Sequence, residues 1–94
     1  MPRYVIERNF AHVTDDDMAE LAVKSKRVIA ESFPAITWEH SHIVTDDEGV
    51  VRSFCVYGAP DEATVREHAE QLGGHVVERL YEIVGDVEPG DISA

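Results

Sequence analysis

Apolar and polar residues alternate along this chain with two different periods, and the switches between them mark six elements. From Tyr4 to Phe10 the residues are β-formers in near alternation, with Tyr4, Ile6 and Phe10 on one side and Val5, Glu7 and Asn9 on the other, which predicts a first strand. Thr14-Asp15-Asp16-Asp17 then offers a cap and an acidic first turn, and Met18, Leu21, Ala22, Val28 and Ile29 follow at helical spacing. Pro34 ends that helix, and Phe33 is expected to tuck beneath its last turn. Ile36–Thr45 and Val50–Tyr57 read as two strands joined by the polar tip Asp46-Asp47-Glu48-Gly49. Asp61 caps a second helix with Val65, Ala69 and Leu72 on its buried stripe, Gly73-Gly74 ends it, and Val76–Val87 reads as a fourth strand.

The order β, α, β, β, α, β predicts an α+β fold of the ferredoxin-like kind, a four-stranded antiparallel sheet with both helices on one face. With 94 residues the chain suffices for a single domain, expected to have an ordered core over 4–88 and a loose tail over 89–94. The helix-free sheet face must be solvated, or covered by a partner or a ligand, and any surface that so small a core leaves uncovered is a reason to expect a homodimer. No repeat, linker or low-complexity segment interrupts the pattern.

Charge narrows the partners. Nineteen Asp and Glu against eight Lys and Arg give a net charge of −11, a field that repels phosphate backbones and anionic membranes and attracts cations. Nucleic acid and membrane are therefore not expected as partners. Cys55 is the one cysteine, so no intrachain disulfide forms. Neither a signal peptide nor an apolar run of bilayer length is visible, and a cytoplasmic protein is expected.

The candidate chemistry lies on the hairpin. Residues two apart on a strand share a face, so Trp38, His40 and His42 look one way. Pairing Thr45 with Val50 across a four-residue tip sets His42 opposite Ser53, His40 opposite Cys55 and Trp38 opposite Tyr57. Phe54, Val56 and Ile43 then fall to the core. In that register His40, His42 and Cys55 converge away from the helices, and Glu7 of the first strand joins them. Imidazole and thiolate donors suit borderline ions, with nickel, zinc and copper as candidates, and do not suit calcium or magnesium. His68 lies near the buried stripe of the second helix, where a packing role and a second metal site both remain open. Trp38 and Tyr57 read more readily as core or interface aromatics. His12 and His75 fall in loops without an assigned role, and the acidic runs read as a cap and a turn.

The stretches YVIER (4–8), WEHSHIV (38–44) and CVYGAPDEATVREHAE (55–70), with the Gly73-Gly74 step, resemble the small nickel-binding-protein-like family. The resemblance runs from the first strand to the end of the second helix. It implies a ferredoxin-like fold, a dimer built by packing sheet faces together, a cytoplasmic nickel-binding role, and matching positions at Glu7, Trp38, His40, Cys55, Tyr57, Glu67 and His68. The chain departs from the family pattern at His42, where an aromatic residue is expected, and at His75-Val76-Val77, which lacks a Pro-Ala step.

Three functions compete at this point. The first is binding of a divalent transition metal for storage, buffering or sequestration, through His40, His42, Cys55 and Glu7, with Tyr57, His68, Glu67 and Trp38 in a supporting shell or second site. The second is a small-molecule enzyme of the dimeric α+β barrel type, with His40 as base and Glu7 orienting it in a cavity between sheets. The third is a plain interaction module. No catalytic residue is assigned.

Overall fold

A computed structural model describes residues 1–93. Its elements follow the expected order: β1 (Arg3–Asn9), α1 (Asp15–Ser32), β2 (Thr37–Thr45), β3 (Val51–Gly58), α2 (Glu62–Leu72) and β4 (Val76–Glu82), with a 3-10 turn at Pro89–Asp91. The strands form one antiparallel sheet in the order β2-β3-β1-β4, so β3 and β1 are central and β2 and β4 are edges. This is the ferredoxin-like α+β architecture.

Both helices begin where side chains replace missing backbone partners. The Thr14 hydroxyl accepts from Asp17 N at 3.1 Å while the Asp17 carboxylate accepts from Thr14 N at 3.0 Å. Those bonds hold the Asp17 carboxyl below the usual carboxylate range. At α2 the Asp61 carboxylate accepts from Thr64 N at 2.8 Å and from the Thr64 hydroxyl at 2.7 Å. Asp61→Ala is expected to cost about 1 kcal/mol in thermal denaturation, and Asp61→Asn much less, because asparagine keeps the acceptor. Gly73, at φ 67°, turns the chain out of α2 in a conformation that disfavours other residues.

The core lies between the sheet and the helices. Tyr4 and Ile6 of β1, Cys55 and Tyr57 of β3, Leu80 of β4, Val65 and Ala69 of α2, and Phe33 and Ile36 after α1 form one buried cluster. The two helices differ in how they join it. Four of α2's eleven residues are buried, whereas α1 buries only Ser25 among eighteen. Val28 and Ile29 of α1 pack partly against the cluster; Met18, Leu21 and Ala22 of the expected stripe border a cavity instead.

Two expectations are corrected. The fourth strand stops at Glu82 rather than Val87. Its partner β1 begins at Arg3, whose carbonyl takes a last bond from Ile83 N at 2.8 Å; before it, Pro2 has no N–H and its carbonyl is taken by Ala59 N, so the ladder ends and Val84 is 99% exposed. The hairpin register also differs. Asp46 accepts from Glu48 N and Val50 N and Gly49 turns at φ 80°, so Val50 belongs to the tip and Thr45 pairs with Val51. From there to His40 the ladder runs one residue out of the expected register: Ser41 opposes Cys55, His42 opposes Phe54 and His40 opposes Val56. A bulge between Trp38 and His40 absorbs the extra residue and restores the expected pairing of Trp38 with Tyr57.

Because a one-residue shift exchanges faces, the hairpin is sorted differently from the sequence reading. Ser41, Ser53, Cys55 and Tyr57 lie toward the helices. Phe54 and Val56, expected in the core, lie half-buried on the helix-free face with Val5 and Glu7, and Ile43 is 54% exposed at the edge of the helix side.

Candidate functional site

The bulge at Glu39 decides which candidate ligands meet. It turns His40 and His42 onto the helix-free face, where both are exposed and their rings stand edge to face with centroids 5.2 Å apart. Glu39 is held at the bulge by Arg3, whose Nε donates to it at 2.7 Å and whose Nη1 reaches Asp86. The Arg3 hydrogen bond keeps the Glu39 carboxyl below its ordinary range, against the opposing effect of burial.

Cys55 is not part of this group. It points to the other side of the sheet, is 3% exposed, and donates its S–H to Ser53 Oγ at 3.3 Å. Glu7 shares the helix-free face, but it lies opposite Phe54, in line with His42 rather than His40. Its carboxylate takes Arg52 Nη1 at 3.2 Å and stands 3.9 Å from Arg79 Nε. Among the described residues no three His, Cys, Asp or Glu side chains are grouped closely enough to hold an ion between them. The expected His40–His42–Cys55–Glu7 convergence is thereby replaced by a pair of imidazoles. The base-and-orienter pairing of His40 with Glu7 is not formed either.

Of the supporting residues, Glu67 is exposed on α2, while Trp38, Tyr57 and His68 lie toward the core. The Trp38 indole N–H donates to Ser41 Oγ at 2.8 Å, and its ring lies 6.3 Å from Tyr57. Tyr57 and His68 belong to a buried polar cluster organised around Arg8, a residue the sequence reading did not single out. The Arg8 side chain is 3% exposed; its Nη1 donates to the Tyr57 hydroxyl at 3.0 Å, and its Nη2 lies 3.5 Å from His68 Nδ1. A guanidinium can only donate, so Nδ1 accepts and the proton sits on Nε2, which reaches Ser25 Oγ at 3.2 Å. Burial, reinforced by the Arg8 charge, pushes the His68 pKa down to about 4. Burial pushes the Tyr57 phenol up to about 12 against the opposing pull of Arg8. The signal for Arg8 was present in the sequence. It shares parity with Tyr4, Ile6 and Phe10, so the alternation that sends them inward sends the guanidinium with them.

The comparisons with known proteins agree with the architecture. The SCO4226-like family model, described as nickel responsive protein SCO4226-like, matches residues 4–83. The crystal structure of SCO4226 from Streptomyces coelicolor A3(2) superposes with a TM-score of 0.66 at 16% identity, covering 90% of this chain and 99% of that one. At that identity the likeness concerns the fold. A comparison with curated proteins gave no match.

Proposed function

The chain belongs to the SCO4226-like family of nickel-responsive proteins, and from that membership we propose that it binds a divalent transition metal, nickel before zinc or copper, in a storage, buffering or sequestering role in the cytoplasm. His40 and His42 are the proposed ligands. The observation that carries the proposal is their adjacency on the helix-free face: two exposed imidazoles with centroids 5.2 Å apart, on a chain whose net charge of −11 draws cations to it. Neutral imidazole is a good donor to nickel, copper and zinc. Glu7, engaged by Arg52, is not among the proposed ligands. Two imidazoles leave further coordination positions to water or to a second copy of the chain. A homodimer through this face would also cover the half-buried Val5, Phe54 and Val56.

Equilibrium dialysis of tag-free protein against nickel tests the proposal. His40→Ala/His42→Ala is expected to weaken binding by at least about tenfold, since even outer partners of a metal site cost that much. Cys55→Ser is expected to bind as the wild type does. A double variant that takes up as much nickel as the wild type overturns the assignment. Sedimentation with and without nickel separates a site within one chain from a shared one, because only the shared site makes dimerisation metal-dependent.

A further inference from the structure

The cluster around Arg8 lies on the opposite side of the sheet from the two imidazoles, and the proposed metal binding does not use it. Arg8 and Ser25 of that cluster, with Cys55 beside them, form part of the wall of a cavity of about 270 Å³ between α1 and the sheet, while Tyr57 and His68 stand behind them. Met18, Leu21 and Ala22 line it from α1, and Phe10, Trp38 and Leu72 from elsewhere, so the surroundings are predominantly apolar. The volume sits near the lower end of small-molecule pockets, roughly 300–1,000 Å³. The cavity exists because α1 does not close onto the sheet: its N-terminal apolar residues stand around a space that a tightly packed helix would have filled.

The charge in that wall is unbalanced. Among the described residues no carboxylate lies within ion-pair distance of Arg8, whereas Arg3, Arg52, Arg66 and Arg79 all reach acids. The groups touching the guanidinium are the Tyr57 hydroxyl, a weak 3.5 Å contact to His68, and Cys55 Sγ at 3.8 Å. Its Nε is buried with no hydrogen-bond partner. A buried cation lacking a counter-charge carries a large desolvation penalty, and an unmade hydrogen bond adds to it. Tyr57, held far up, stays a neutral phenol and His68, held far down, a neutral imidazole, so neither provides a counter-charge at neutral pH.

We infer that this cavity is a binding site for a small apolar monocarboxylate, its body against Met18, Leu21 and Ala22 and its carboxylate paired with Arg8. Single charge is favoured over double because two of the three guanidinium nitrogens already have partners and the apolar walls penalise a dianion. The overall negative charge of the protein does not forbid an anion here. Surface carboxylates act through screened water, whereas a buried guanidinium acts at contact through a poorer dielectric.

Benzoate, phenylacetate and hexanoate, each beside its amide, probe the site in titrations followed by backbone amide NMR and thermal denaturation of the full chain. At least one acid is expected to shift resonances of Arg8, Ser53 and the Met18–Ser25 turns of α1 and to raise Tm with concentration. The matching amide is expected to bind at least about tenfold more weakly, the scale of a hydrogen bond to a charged group. Arg8→Met should abolish the preference for acid over amide. Ala22→Phe, which fills the cavity and leaves Arg8 in place, should abolish binding of both and remains decisive if Arg8→Met does not fold. His40→Ala/His42→Ala should leave the acid response unchanged, so failure of the metal proposal and failure of this one are distinguishable. The inference is overturned if no acid shifts the α1 resonances at millimolar concentration, if amide and acid bind alike in the wild type, or if Ala22→Phe binds normally.

Discussion

Lowering the pH from 7 to 4 is expected to remove about 3 kcal/mol of folding stability through the single side chain of His68. The ring is fully buried between α2 and the sheet, 5.6 Å from Tyr57 and 5.8 Å from Phe33, with Arg8 on one nitrogen and Ser25 on the other. Unfolded, it titrates near its ordinary 6.5; folded, its pKa is pushed down to about 4. Between those values the unfolded chain binds the proton and the native one does not. Stability is therefore whole above pH 6.5, falls as the pH drops, and has lost the full amount once the folded pKa is passed. His75, also held low by burial, adds in the same direction. Asp17, Asp46 and Asp61 are held below their usual 3.8, so their contributions are lost at lower pH, outside this window. Urea midpoints at pH 7, 5.5 and 4 measure the slope. His68→Gln retains one acceptor and one donor and should flatten most of it. A variant with the wild-type slope would show that the acid sensitivity arises elsewhere.

The second large effect concerns packing. Ile6→Ala, at a fully buried position on a central strand, is expected to destabilise by roughly 2–5 kcal/mol, the transfer term plus the cavity left behind. Leu21→Ala, on the helix that stands off the sheet, should cost less than about 1 kcal/mol, because the leucine is half-buried beside space rather than enclosed. Denaturant unfolding of the two variants against the wild type decides the matter. Equal losses would mean that α1 closes onto the sheet in solution and that the Arg8 cavity does not persist. For a domain of this size, with total stability of about 5–15 kcal/mol, the Ile6 change alone threatens folding.

Much of the architecture was legible because each element carries its own punctuation. Thr14 and Asp61 mark helix starts, Pro34 and Gly73 mark ends, and the β1 alternation predicts Tyr4 and Ile6 as inward residues. The site was harder, since its geometry depends on a single residue count at the hairpin tip. Asp46 folds Val50 into the turn through side-chain bonds that composition does not reveal, and that shift separated the imidazoles from Cys55. One clue was present in the sequence. Arg52 alternates with Phe54 and Val56, so a charged residue had to share whichever face they took, and its partners Glu7 and Asp46 lie toward solvent. Arg8 teaches the converse. Parity sends it inward, and the usual rule that charge goes outward made it invisible.

The bulge at Glu39 makes the distribution of chemistry between the two sides of the sheet depend on one residue of length. Removing that residue would oblige half of β2 to trade places: either Trp38 would leave the interior, or both imidazoles would enter it and meet the Arg8 cluster. Insertions and deletions of one residue at this point are thus a short route by which related chains could exchange an external imidazole pair for an internal one while keeping the same architecture.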